Sequence, residues 1–348
     1  MIRLNSVPPP NRGQKVSEGV GKVARTARPH LPVLRLELAF RFNGKARLPP
    51  FRGSLWRSVL GPALRRLDEA RAWPDAGEEG LPDRLYEWAF ETPAAVCLLT
   101  PEAGARPHPL VIDAPSEANW KTIATDTLMR IQVSLIGRFA LALRPVVEAF
   151  RSAAENGLGK EIEQTGQRGS AELLAVHQVW RAPPEGPRPL WNTEHGWLEP
   201  DVQPVEVPAP ETGPVRVELV SPLRVQRAGR LVRPQDFCAA DLFLPLIRRT
   251  GALMAAHSGV RLEADFASLK KLALNQSISN SRLTWHEAKR WSSSQGEEIP
   301  SGGIVGSFDM DLSAVPDLME FLWIGQWINV GKGTFMGLGG IRLYPLQP

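Results

Sequence analysis

Near the carboxyl end of the chain, Val330-Gly331-Lys332-Gly333-Thr334-Phe335-Met336-Gly337-Leu338-Gly339-Gly340 sets five glycines and one lysine between an apolar helical pattern and a short terminal strand. Glycine lacks a Cβ and enters positive φ freely, so successive N–H groups in such a loop can converge on an anion, with Lys332 adding a mobile charge. Gly331, Lys332, Gly333, Thr334, Gly337 and Gly339 are therefore candidate contacts to phosphate, and the expected source is a nucleic acid. A nucleotide cofactor is excluded by spacing. A P-loop would need glycine where Gln326 stands and a hydroxyl where Gly333 stands. The glycine spacing and the helix-then-strand order likewise fail the dinucleotide fingerprint. Because glycine-rich turns serve structure more often than binding, the loop needs a second signal.

Arginine supplies it. Arg224, Arg227, Arg230 and Arg233 crowd the stretch after Pro214, and Lys289-Arg290-Trp291-Ser292 joins cations, an aromatic face and a hydroxyl suited to an RNA backbone or a stacked base. The charge is uneven along the chain. Residues 1–67 hold 14 Lys and Arg against 2 Asp and Glu, leaving 27 against 35 for the remainder and a net +4 overall. A basic section on a slightly acidic body is the footprint of a localised polyanion.

The six histidines are too dispersed to form a helix-borne metal pair, and no HExxH or Gly-x-Ser-x-Gly element is present. Hydrolysis by zinc or by an activated serine is unsupported. Cys97 and Cys238 stand alone, which favours a reducing cytoplasm without a structural metal or cofactor. No apolar run is long enough for a membrane span.

The elements that must position these residues repeat. Leu34 to Phe42 alternates as a strand, and Gly53 to Leu67 has helical spacing with Arg57, Arg65 and Arg66 on its other faces. Ala94 to Thr100 and Pro109 to Asp113 read as strands, Arg138 to Asn156 as a helix and Glu172 to Trp180 as a strand. After a proline-rich stretch the order returns. Val215 to Val220 is a strand, Asp236 to His257 a helix, Leu283 to Trp291 and Ile304 to Leu312 strands, Pro316 to Ile328 a helix and Ile341 to Tyr344 a strand. The expected class is α+β, with tandem ferredoxin-like (RRM-like) domains. The expected division is a basic arm over 1–30, a first domain over 31–181, a linker over 182–214 and a second domain over 215–348.

Five segments, taken in order, carry a resemblance. They are Pro222-Leu223-Arg224-Val225-Gln226-Arg227-Ala228-Gly229-Arg230, Leu246-Ile247-Arg248-Arg249, Arg290-Trp291-Ser292-Ser293-Ser294-Gln295, Gly302-Gly303-Ile304-Val305-Gly306 and the glycine loop. More loosely, Leu48-Pro49-Pro50-Phe51-Arg52-Gly53-Ser54-Leu55-Trp56-Arg57 and Phe90-Glu91-Thr92 join them. The chain resembles the CRISPR-associated endoribonucleases that process repeat RNA, the Cas-six family of the RAMP superfamily. The resemblance implies metal-independent cleavage of precursor RNA by a ribose 2′-hydroxyl, with a stem-loop of repeat RNA as partner, Arg52 among its contacts and other CRISPR effector subunits nearby. Such chemistry needs in-line positioning, proton transfer and cations for the phosphorane. Related enzymes often carry a histidine on or near the first helix; here that helix has none. His30 and His108 are the candidate acid or base, with Arg57 as a stabilising cation. Because of that departure, a non-catalytic RNA-holding subunit and a general single-stranded RNA-binding module stand as alternatives.

Overall fold

The alternation from Leu34 to Phe42 builds the strand Pro32–Phe42, whose five alternating side chains are all buried. The computed structural model describes residues 29–70, 84–99, 106–117, 119–163, 166–179, 186–198, 205–206, 211–292 and 297–346. The expected arm lies almost wholly outside them. Six α-helices are present among the described residues: α1 Arg52–Ala70, α2 Leu85–Phe90, α3 Leu143–Glu155, α4 Ala239–Ser258, α5 Phe266–Asn275 and α6 Pro316–Ile328. None is long and apolar enough to cross a membrane.

Two antiparallel sheets share one topology. In the first, Ala171–Gln178, Pro32–Phe42, Leu128–Ile136 and Leu110–Asp113 lie side by side, the fourth, first, third and second of their set in chain order. In the second, Ile341–Pro345, Pro214–Leu223, Gly303–Asp311 and Ser279–His286 repeat that arrangement. Helices α1 and α3 fall between the matching strands of the first set, and α4 and α6 between those of the second. The fold is thus a tandem pair of ferredoxin-like units, as the repeated element order implies. Trp56 of α1 is fully buried between Phe40 of the first sheet (4.7 Å between centroids) and Phe150 of α3 (5.7 Å). That contact fixes the helix whose outer face carries Arg57.

Three expectations change. Ala94 to Thr100 is not a strand: Ala94–Val96 is a 3-10 turn, and the Leu98 and Leu99 N–H groups donate to the Ala256 and Ala255 carbonyls (2.9 and 3.0 Å). The apolar run is used to satisfy carbonyls at the end of α4. The stretch taken as a linker contains Arg188–Asn192, Gly196–Trp197 and Val205–Glu206, which extend the first sheet. Proline marks edge strands as readily as linkers, and composition does not separate the two. Finally, α3 starts at Leu143 after a 3-10 segment, Gly137–Ala142.

The two cores are interlocked. Leu31, Val33, Val111 and Ile136 of the first sheet pack into the second core, and Phe335 of the glycine loop packs into the first.

Candidate active site and nucleic-acid interface

Phe335 is the hub of the junction. Its ring stands edge-on to Phe90 (4.8 Å between centroids) and 5.2 Å from His108, and the Arg57 guanidinium lies over both phenyl rings (5.3 and 5.5 Å). Two of the three expected catalytic residues, Arg57 and His108, are therefore brought together by a side chain from the opposite domain. His30 is half-buried just before the first strand. The strands that follow His30 and His108 both pair with Leu128–Ile136 in the same sense, so the two histidines lie toward the same end of the sheet.

His108 is tethered through its Nδ1. Its Nδ1 lies 3.1 Å from Thr92 Oγ1, and that hydroxyl donates to the Trp88 carbonyl (3.3 Å). A hydroxyl has one proton, so when it goes to the carbonyl the imidazole Nδ1–H donates to Thr92 and Nε2 keeps its lone pair. Thr92 is itself strained: it is buried with φ +46°, a region β-branched residues avoid. The conformation is maintained by Thr92 N–H donating to Glu87 O (2.8 Å) and Arg106 Nε donating to Thr92 O (2.8 Å). Burial, reinforced by the charges of Arg249 and Arg57, lowers the His108 pKa to about 4. At neutral pH the ring is an uncharged proton acceptor.

Arg249 of α4 completes the cluster. Its Nε donates to Ile328 O (2.9 Å), its Nη2 is buried without a partner, and no carboxylate among the described residues pairs with it. Burial lowers its pKa to about 10, so it remains a cation at neutral pH. The residue as a whole is half-buried, and a covered guanidinium nitrogen with no carboxylate beside it attracts an anion. About two helical turns beyond, His257 is fully buried and donates Nε2–H to Pro107 O (2.8 Å), tying α4 to the residue before His108. Burial lowers its pKa to about 4 as well.

Most N–H groups of the glycine loop are used within the protein, and those of Gly331, Gly333, Thr334 and Phe335 have no acceptor among the described residues. The N–H groups of Val330, Lys332, Met336, Gly337, Leu338 and Gly339 donate to protein carbonyls, and that of Gly340 donates to Ser221 Oγ (2.7 Å). The loop's glycines also permit close approach. A Cβ on Gly337, at φ +81°, would run into the Ile112 carbonyl, and one on Gly53 of α1 into that of Met336. Thr334 is buried, whereas the Lys332 side chain is exposed.

The remaining expected RNA contacts divide. Arg52 is buried against Glu117 (3.3 Å), and Arg227 is exposed and paired with Asp241. Arg65 and Arg66 are exposed on α1, the former over Tyr86 (3.9 Å). Arg224 donates to Gly302 O (2.6 Å), and the Lys332 N–H donates to Arg224 O (2.8 Å), which places the arginine beside the loop. Arg230 and Arg233 are exposed, Arg233 over Trp285 (3.8 Å). Lys289–Ser292 forms a ribbon with Glu297–Pro300. The side chains of Lys289, Arg290, Trp291 and Ser292 lie outside the described ones.

Comparison with known proteins agrees with this architecture. Residues 31–203 match a family model described as an N-terminal domain, and residues 217–341 match the model of CRISPR-associated endoribonuclease Cas6. No curated protein matches the chain. Among solved structures, a partial Cas6-RT-Cas1–Cas2 complex aligns with 92% of this chain and 47% of its own at TM-score 0.50 and 12% identity. A Cas6 product complex aligns with 90% of this chain and 99% of its own at TM-score 0.50 and 14% identity. The chain therefore spans about half of the first protein and nearly all of the second; at these identities the likeness is one of fold. The second domain thus matches the CRISPR-associated endoribonuclease Cas6 family, on a two-domain fold that the chain shares with Cas6 structures.

Proposed function

We propose that this protein cleaves CRISPR precursor RNA within its repeats, without a metal, and retains the product. The observation that carries this reading is the uncompensated Arg249 guanidinium beside a neutral His108 and Arg57. An RNA phosphate supplies the missing anion. With the phosphate seated there, His108 Nε2 takes the proton of the adjacent ribose 2′-hydroxyl, the 2′-oxygen bonds to phosphorus, and the P–O5′ bond breaks. The imidazolium then returns its proton to the departing 5′-oxygen, leaving a 2′,3′-cyclic phosphate and a 5′-hydroxyl. Arg57 and Arg249 stabilise the phosphorane, which carries more charge than the ground state. Thr92 acts through His108 by fixing its tautomer. Arg65, Arg66, Arg224, Arg230, Arg233 and Lys332 extend a basic track for the flanking RNA. Two of the matched structures are Cas6-RT-Cas1–Cas2 complexes, so other CRISPR proteins are the expected protein partners.

The test is incubation with labelled repeat RNA in EDTA, beside RNA carrying single 2′-deoxy substitutions. One cut, abolished by one substitution and by His108→Ala, is the expected result. A cut that survives His108→Ala removes the histidine from the reaction. Tight binding without cutting would instead assign the chain to the RNA-holding subunits, a reading favoured by the absence of histidine from α1.

A further inference from the structure

The face of α4 turned away from Arg249 borders a second cavity, of about 500 Å³, between α4 and α5. Leu244, Ile247, Ala252, Leu262 and Leu269 supply much of its wall, and Phe266 stands half out of it at 53% exposure. Val260 and Leu274 extend the apolar surface beyond it, at 43% and 59% exposure. Three cations, Arg248, Arg261 and Lys270, also line the cavity, and no carboxylate does. Asp265, next to Phe266, is occupied with capping α5: it accepts from the N–H groups of Ala267 and Ser268.

An apolar hollow of this size is in the range of recessed binding sites, roughly 300–1,000 Å³. Isolated exposed apolar side chains are ordinary on a protein surface, but a contiguous group around a cavity marks a contact site. The all-cationic lining selects for negative charge. RNA would bring that charge, yet single-stranded bases dock by stacking on aromatic rings, and Phe266 is the sole aromatic residue of the lining. We propose that this cleft docks an acidic segment of a partner protein, with one aromatic or aliphatic side chain inserted between α4 and α5 and flanking carboxylates on Arg248 and Lys270. Arg248 and Arg249 are adjacent in sequence but serve opposite sides of the helix, so the segment occupies α4 while the junction stays open.

The test uses the full chain and short fluorescent peptides of Asp, Glu and Ser with a single central Phe, Trp or Leu, read by anisotropy. The matched controls are an all-acidic peptide without the apolar residue, its all-basic counterpart, and repeat RNA as competitor. At least one anchored acidic peptide should bind. Ala252→Trp, which fills the half-exposed side of the cavity, should weaken it by about tenfold, as should Arg248→Glu with Lys270→Glu. Affinity for repeat RNA should stay unchanged in both variants. Equal binding of the unanchored acidic peptide would reduce the site to surface charge and overturn the proposal. So would failure of the whole set to bind, or weakened RNA binding in the charge-reversed variant, which would make the cleft part of the RNA track.

Discussion

Arg35 and Asp113, on strands separated by a third, lie 2.8 Å apart, and the same guanidinium donates across the junction to the Gln326 carbonyl, also at 2.8 Å. Asp113 in turn accepts from Asn329 of the second domain (2.9 Å), while Gln132 on the intervening strand accepts from Arg35. One buried arginine thus knits three strands to the end of α6. Arg35→Ala leaves a half-buried carboxylate and a carbonyl without their donor and should destabilise the chain by about 3–5 kcal/mol. Chemical denaturation midpoints of the two proteins check this.

The depressed pKa of His108 sets the pH profile of the proposed reaction. The neutral ring is the active form, so kcat/KM should rise with an acid limb near pH 4 and show no inflection near 6.5. Thr92→Val removes the acceptor that fixes the tautomer. It should slow single-turnover cleavage by about tenfold or more and leave RNA affinity intact, whereas a purely structural loss would lower both.

Stability should fall on mild acidification. His108 and His257 bind protons near pH 4 in the folded state and near their ordinary 6.5 when unfolded. Between those limits the unfolded chain holds more protons, so the stability these residues contribute is complete above 6.5 and declines as the pH drops toward 4. Each group adds a slope of about 1.4 kcal/mol per pH unit. His257→Gln keeps an N–H for Pro107 and should remove about one proton from that dependence, measured by denaturation across the window.

Two glycines offer a matched pair. Gly53→Ala pushes a methyl into the Met336 carbonyl and should cost about 1–3 kcal/mol. Gly44→Ala meets no atom within 4 Å and should stay within about 0.5 kcal/mol of the parent. Thermal melts of both variants separate a domain joint from a general intolerance of glycine replacement.

Periodicity made the main elements legible, because one buried face per strand or helix leaves its mark on the sequence. The strand Leu128–Ile136 was overlooked although Met129, Ile131, Val133 and Leu135 alternate, and α5 carries too short a pattern to stand out. At the site, Arg57 and His108 were readable as residue types, but their partners were not. Arg249 lay in a segment noted for its resemblance, yet its meaning comes from a covered Nη2 without a partner and a guanidinium lacking a carboxylate, which no local pattern encodes. Thr92 is likewise a matter of backbone angle. The glycine loop was legible as a place of close approach, but not that Gly337 and Gly339 approach protein carbonyls, since the same freedom serves a carbonyl as well as a phosphate.

Phe335 also bears on synthesis. The first sheet and its helices leave the ribosome well before residue 335 is added, with more than a hundred residues still to come; at the usual pace of translation that is on the order of ten seconds. Throughout that interval the nascent domain lacks one of its own core rings, and it exposes Leu31, Val33, Val111 and Ile136, which await the second core. Completion of the first half is therefore deferred until the last strand arrives, and the cluster around His108 is assembled only once residue 335 has been added.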